Sequence, residues 1–213
     1  MITITLLALL GIALASVVWM MVRSPAKTAL PPPAPPRLPT GTPADLWNAR
    51  KGDVVSVRAA AADYSDIDFP VDRRSSYASN NHRWIDLSGE FRGDRVYVEV
   101  HPPPAGEVMG ILDPRKLTIA DLQLTEDQLA AYDAKQDPNQ TLAFEGKQWN
   151  YESSREIGYF ENEQGPGEGV YRWLFREPGS ARLICIEKWA GEPFDVRLAI
   201  RLKPQDVTVY PAA

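Results

Sequence analysis

Tyr171-Arg172-Trp173-Leu174-Phe175-Arg176, a turn, and Arg182-Leu183-Ile184-Cys185-Ile186-Glu187-Lys188-Trp189 form the stretch whose reading decides the fold. Strand-like apolar residues stand on both sides of Glu177-Pro178-Gly179-Ser180, which puts Pro and Gly at the two central positions of a type II turn. The stretch predicts a β-hairpin. A fainter copy stands earlier, where His82-Arg83-Trp84-Ile85 is followed, after Gly93-Asp94, by Arg95-Val96-Tyr97-Val98-Glu99-Val100. The two Arg-Trp pairs lie 89 residues apart and Arg95 and Arg182 lie 87 apart, so the spacing predicts two related hairpin modules with Trp84 and Trp173 in equivalent places.

Outward from these modules the chain reads as mostly strands. Val54 to Arg58 and Ile67 to Asp72 are short strands, the second placed at a sheet edge or bulge by Pro70. Asp72 to Ser76 and Asn80-Asn81 read as a polar loop, and Glu107 to Leu112 as one more strand. Thr141 to Glu145 and Lys147 to Tyr151 flank Gly146 as a hairpin, and Phe194 to Leu202 shows the cleanest alternation of the chain. The one helix begins at Thr125, whose side chain with Gln128 makes a capping box, and it stops before Pro138. The predicted fold class is mainly β: an antiparallel domain of packed sheets or a partly open barrel, with one short helix.

Ahead of this domain, Ile2 to Val22 is 21 residues without a charge, long enough to cross a bilayer core of about 30 Å as a helix. Ala13-Leu14-Ala15 has the spacing of a signal-peptide cleavage site. No basic residue precedes the apolar run, however, and cleavage would leave Val17 to Val22 as an apolar tail. An uncleaved, single-pass anchor over residues 1–23 follows. Residues 24–43 carry eight of the 19 prolines and read as a semi-rigid polyproline spacer. The basic residues Arg23, Lys27, Arg37, Arg50 and Lys51 all lie after the apolar run, which places residues 44–213 in the cytoplasm, against the inner membrane.

Charge narrows the partners. All 28 acidic residues but only 20 of the 23 basic ones lie beyond residue 43, which leaves the domain at −8. A surface of that sign is unsuited to phosphate backbones, so nucleic acid is excluded. A polycation such as a polyamine suits it better, through carboxylates and aromatic faces, and an unidentified protein partner is the other expectation. Cys185 sits among apolar residues as an inert buried thiol.

Motifs for chemistry are weak. Gly165-Pro166-Gly167-Glu168-Gly169 lacks a Lys and leads into a strand, so it is a hairpin loop and not a phosphate cradle. His82 and His101 lie at strand ends without metal-ligand spacing, and no metal or cofactor is expected. The remaining candidates are Arg83, Trp84, Glu99, Arg172, Trp173 and Glu187, because equivalent positions of two modules bring Arg, Glu and Trp together. The plainer interpretation of the same residues is two cross-strand ion pairs beside two core tryptophans.

Gly52-Asp53-Val54-Val55, Asp72-Arg73-Arg74-Ser75, His82 to Glu90, Tyr171-Arg172-Trp173-Leu174, Glu187-Lys188-Trp189 and Pro204 to Tyr210 resemble the bacterial domain of unknown function 4178 family. The likeness spans Trp47 to Tyr210 and brings no established activity. It implies a membrane-associated accessory role, since some relatives carry an N-terminal anchor and the family tends to lie beside small membrane proteins and aminopropyltransferase-like enzymes. The sequence therefore points first to a non-enzymatic binding domain tethered at the inner membrane. Its alternative is an anchored enzyme with an Arg/Glu/Trp-lined site between the modules.

Overall fold

The computed structural model describes residues 42–212, so the expected anchor and most of the proline-rich spacer lie outside the described residues. No helix among the described residues is long and apolar enough to cross a membrane. The chain runs α1 (Pro43–Trp47), β1 (Val54–Val57), β2 (Ile67–Pro70), β3 (Arg73–Ser79), β4 (His82–Phe91), β5 (Asp94–Val100) and β6 (Val108–Ile111). It continues with α2 (Glu126–Lys135), β7 (Thr141–Phe144), β8 (Lys147–Phe160), β9 (Glu168–Arg176), β10 (Arg182–Trp189), β11 (Phe194–Leu202) and β12 (Val207–Tyr210).

Eight of these strands close into an antiparallel barrel in the order β3-β4-β5-β6-β11-β10-β9-β8. The seam is the pairing of Ser76, Tyr77 and Ala78 with Phe160, Tyr159 and Gly158. The barrel is thus closed where the sequence suggested packed sheets or a partly open one. The difference arises at two elements. The polar segment expected to be a loop is strand β3, and β8 is 14 residues long, pairing with β7 at its start and with β3 at its end. Strands β12, β1 and β2 form a separate small sheet with β2 at its edge, where Pro70 has no ladder bond to donate.

The apolar faces of the barrel strands point outward. On one side Ile85, Leu87, Val96, Val98 and Val100 pack against Val55, Val57, Phe69 and Val209 of the small sheet and Leu46 of α1. Gly89 permits this contact, because a Cβ there would stand 2.1 Å from the Pro70 carbonyl oxygen. On the other side Phe175, Ile184, Ile186, Val196 and Leu198 pack under Leu122, Leu129, Leu142 and Trp149, which belong to α2, its approach and the β7–β8 hairpin. The capping box at α2 is present, with Thr125 Oγ1 accepting from Gln128 N (3.2 Å) and Gln128 Oε1 from Thr125 N (2.9 Å). A second helix, α1, completes the first cover; its five residues are too few to show periodicity.

With two apolar cores outside, the inward positions fall to the other face of each strand. Strand register sets Ser75 and Tyr77 against Asp86 and Trp84, Asp86 against Glu99, Arg172 against Glu187, and Cys185 against Arg197. These face the interior, together with Ile157 and Val170 near Trp84 and with Met109, Ile111, Leu183 and Ala199 on the other side.

Candidate functional site

The interior is built around Arg172. Its Nη1 and Nη2 donate to Glu99 Oε2 and Oε1, each at 2.8 Å, and its Nε and Nη2 donate to Glu187 Oε1 at 2.8 and 2.5 Å. Strand β9 carries the arginine and β5 carries Glu99, and three strands separate them in the barrel, so the bidentate fork crosses the lumen. Trp84 Nε1 donates to Glu99 Oε2 at 2.9 Å, and the Arg172 guanidinium lies 4.6 Å from the centre of the Tyr77 ring. Burial alone would favour loss of the arginine proton, but Glu99 and Glu187 outweigh it and hold Arg172 well above the ordinary arginine range.

Of the six residues singled out from the sequence, Trp84, Glu99, Arg172 and Glu187 meet here. Arg83 and Trp173 do not. Arg83 points outward, donating to Ser76 Oγ from Nε (3.1 Å) and Nη2 (2.7 Å), with its guanidinium 5.5 Å from the centre of the Phe160 ring. Trp173 lies in the outer core, where its Nε1 donates to the Leu129 carbonyl at 3.2 Å. The two Arg-Trp pairs are therefore not equivalent: in the first the tryptophan faces inward and in the second the arginine does. From Trp84 to Glu99 is 15 residues and from Trp173 to Glu187 is 14. A difference of one residue flips a strand's side chains, and that offset was the available signal.

Two cavities adjoin the network, and Glu99 lines both. The larger, of about 230 Å³, is walled by Tyr77, Tyr97, Tyr159 and Trp189 with Arg73, Asp86 and Arg197. Asp86 is 2 % exposed, and no protein donor reaches its Oδ1. Burial, and then the neighbouring Glu99 charge, raise its carboxyl well above the ordinary aspartate range despite Arg73 and Arg172 nearby. Asp86 reads from sequence as one of several solvated carboxylates. Its place beside Ser88 and opposite Ile85 and Leu87 in the alternation marks the inward face once closure is known.

The smaller cavity, of about 120 Å³, lies at His82, Trp84 and His101. The histidines, expected as separate exposed strand ends, are in contact: His82 Nε2 and His101 Nδ1 are 2.7 Å apart, and the His101 ring is stacked 5.3 Å from Trp84. Burial pushes His101 below the ordinary histidine range, and the Glu99 charge opposes that shift. No group of three or more metal-ligating side chains occurs among the described residues. Cys185 faces the larger cavity, but burial pushes its thiol far up, so it is a poor nucleophile.

A wider groove of about 770 Å³ runs along the outer surface past β5, β6 and β11. Its guanidiniums are largely paired at the surface, Arg92 with Asp63, Arg115 with Asp113 and Glu145, and Arg182 with Glu177. Size favours this groove, but unsatisfied buried polarity favours the interior, and reactive or recognising groups need the latter. No protein-family model matches the chain, and neither a curated protein nor a solved structure is similar to it.

Proposed function

We propose that the protein is a membrane-anchored enzyme acting on a small molecule inside the barrel, at the Arg/Glu/Trp-lined site where the β4–β5 and β9–β10 hairpins face each other. The observation that supports this is the buried fork of Arg172 on Glu99 and Glu187 with a cavity on either side. Removing charges from water costs several kcal/mol per ion, and apolar residues of similar volume generally hold a fold as well. The two outer cores already supply the apolar burial, so a charged lumen is better explained by what it holds. Asp86, whose carboxyl is raised well above the ordinary aspartate range by burial and the Glu99 charge, is the acid proposed for proton transfer in the larger cavity. The stretch Ile2 to Val22 would hold the domain at the cytoplasmic face of the inner membrane, with the proline-rich spacer between them.

A binding domain without turnover is the second reading, favoured by the way the guanidinium and carboxylates of the fork already satisfy one another. One experiment separates the two. Full-length protein in lipid nanodiscs is incubated with a small-molecule extract, and the mixture is followed by mass spectrometry. Consumption of a compound with appearance of a product, lost in Glu99→Gln, supports the enzyme; retention without a product supports the binding domain. If nothing is consumed or retained, the interior is not a small-molecule site.

A further inference from the structure

We propose that the larger interior cavity takes a compact primary ammonium, one cationic head on a chain of a few carbons, with Asp86 as its counter-ion. The inference rests on the barrel interior being a small-molecule site. It starts from the partners of each charged group around that cavity. Arg172 is held by Glu99 and Glu187, Arg197 by Asp195 (2.6 and 2.8 Å), and Arg73 donates to Glu161 at the surface (3.2 Å). Asp86 is left over, buried, and without a donor on Oδ1.

A ligand with a single positive charge and N–H donors supplies both things that Asp86 lacks. The remaining wall suits the alkyl part and the charge together, since Tyr77, Tyr97, Tyr159 and Trp189 present aromatic surface. Only one carboxyl is unpaired, and the cavity measures about 230 Å³. A monocation therefore fits it better than the polyamine suggested by the overall charge.

Binding would then be coupled to a proton. In the free protein burial and the Glu99 charge favour the neutral form of Asp86; the arriving ammonium favours the carboxylate, and the carboxyl proton leaves to the buffer. The ammonium forms a charge-assisted hydrogen bond to Oδ1, and the only bond broken is the carboxyl O–H whose proton passes to the buffer. The groups facing Asp86 come from every neighbouring strand. From β3 and β5 they are Arg73, Tyr77, Tyr97 and Glu99; from β8 and β9, Tyr159 and Arg172; from β10 and β11, Cys185, Glu187, Asp195 and Arg197. Burial raises Tyr77, Tyr159 and Cys185 above their ordinary ranges, so these stay protonated and do not compete in supplying the proton.

The test is calorimetric titration of the full-length protein in detergent with butylammonium and, separately, with butan-1-ol, its neutral counterpart. Butylammonium is expected to bind at least about tenfold tighter, to release close to one proton per ligand when heats in two buffers are compared, and to tighten by up to about tenfold for each unit that pH rises toward the Asp86 pKa. Asp86→Asn should remove the pH dependence and the preference for the cation. Equal binding of both probes to the wild-type protein would overturn the ammonium assignment and leave the interior site standing. Failure of both probes also overturns it, and the metabolite experiment then decides separately whether the interior binds anything. The comparison of probes on the wild-type protein needs no variant, so it holds even where Asp86→Asn fails to fold.

Discussion

Arg172 joins two strands across the lumen, and its loss should be felt as two abandoned charges. Replacing it with Met leaves Glu99 and Glu187 buried without a cation, which is expected to lower stability by about 3–5 kcal/mol in denaturant unfolding. Adding Glu99→Gln and Glu187→Gln to the same chain should restore most of that loss, because the isolated carboxylates and not the missing arginine carry the penalty. The His82–His101 contact gives a second prediction. His101 has its pKa lowered from the ordinary 6.5, so its contribution to stability is present above that value and is lost as pH falls through its folded pKa. Melting of the wild-type protein from about pH 7.5 to about pH 5 should therefore fall more steeply than that of His101→Gln. Residue types were legible in the sequence more readily than their direction. Arg, Glu and Trp stood out by repetition, yet which member of each Arg-Trp pair entered the barrel depended on one residue of offset between the arms.

Single elements can be tested at their contacts. The first turn of α2 rests on the capping box, and Thr125→Ala should cost about 1 kcal/mol, read by urea unfolding. Gly89→Ala on β4 should cost more, on the order of 1–3 kcal/mol, because the new methyl overlaps the Pro70 carbonyl and the Phe69 ring and pushes the small sheet off the barrel. The helix, the β7–β8 turn at Glu145-Gly146 and the alternation of β11 were legible because each carries a local signal: a cap, two left-handed residues, or strict period two. Strand β3 was not. Arg73-Arg74-Ser75-Ser76 is polar on both faces, since one side bonds to rim carboxylates and the other enters a polar lumen, and such a strand resembles a loop in any hydropathy pattern.

For the whole molecule, closure could not be seen in the sequence, because the pairing of β3 with β8 joins residues 80 to 84 positions apart through three residue pairs. The proposed orientation at a membrane rests on charge and can be checked directly. A phosphatase that folds only outside the cytoplasm, fused after Ala213, should be inactive, since every basic residue flanking Ile2 to Val22 lies on its downstream side. The outward apolar faces have a further consequence for how this protein can change. Most of its aliphatic burial lies in two outer shells, while the lumen sets two smaller apolar clusters, around Trp84 and around Leu183, beside its polar network. Cavity-wall positions outside the Arg172 network are therefore more open to substitution than the outer shells, and a library varied at Tyr97, Asp86 and Arg197 should yield folded barrels with altered ligand choice more often than one varied at Val98, Phe175 and Ile184. A barrel arranged in this way can acquire new specificities by drift in its interior alone.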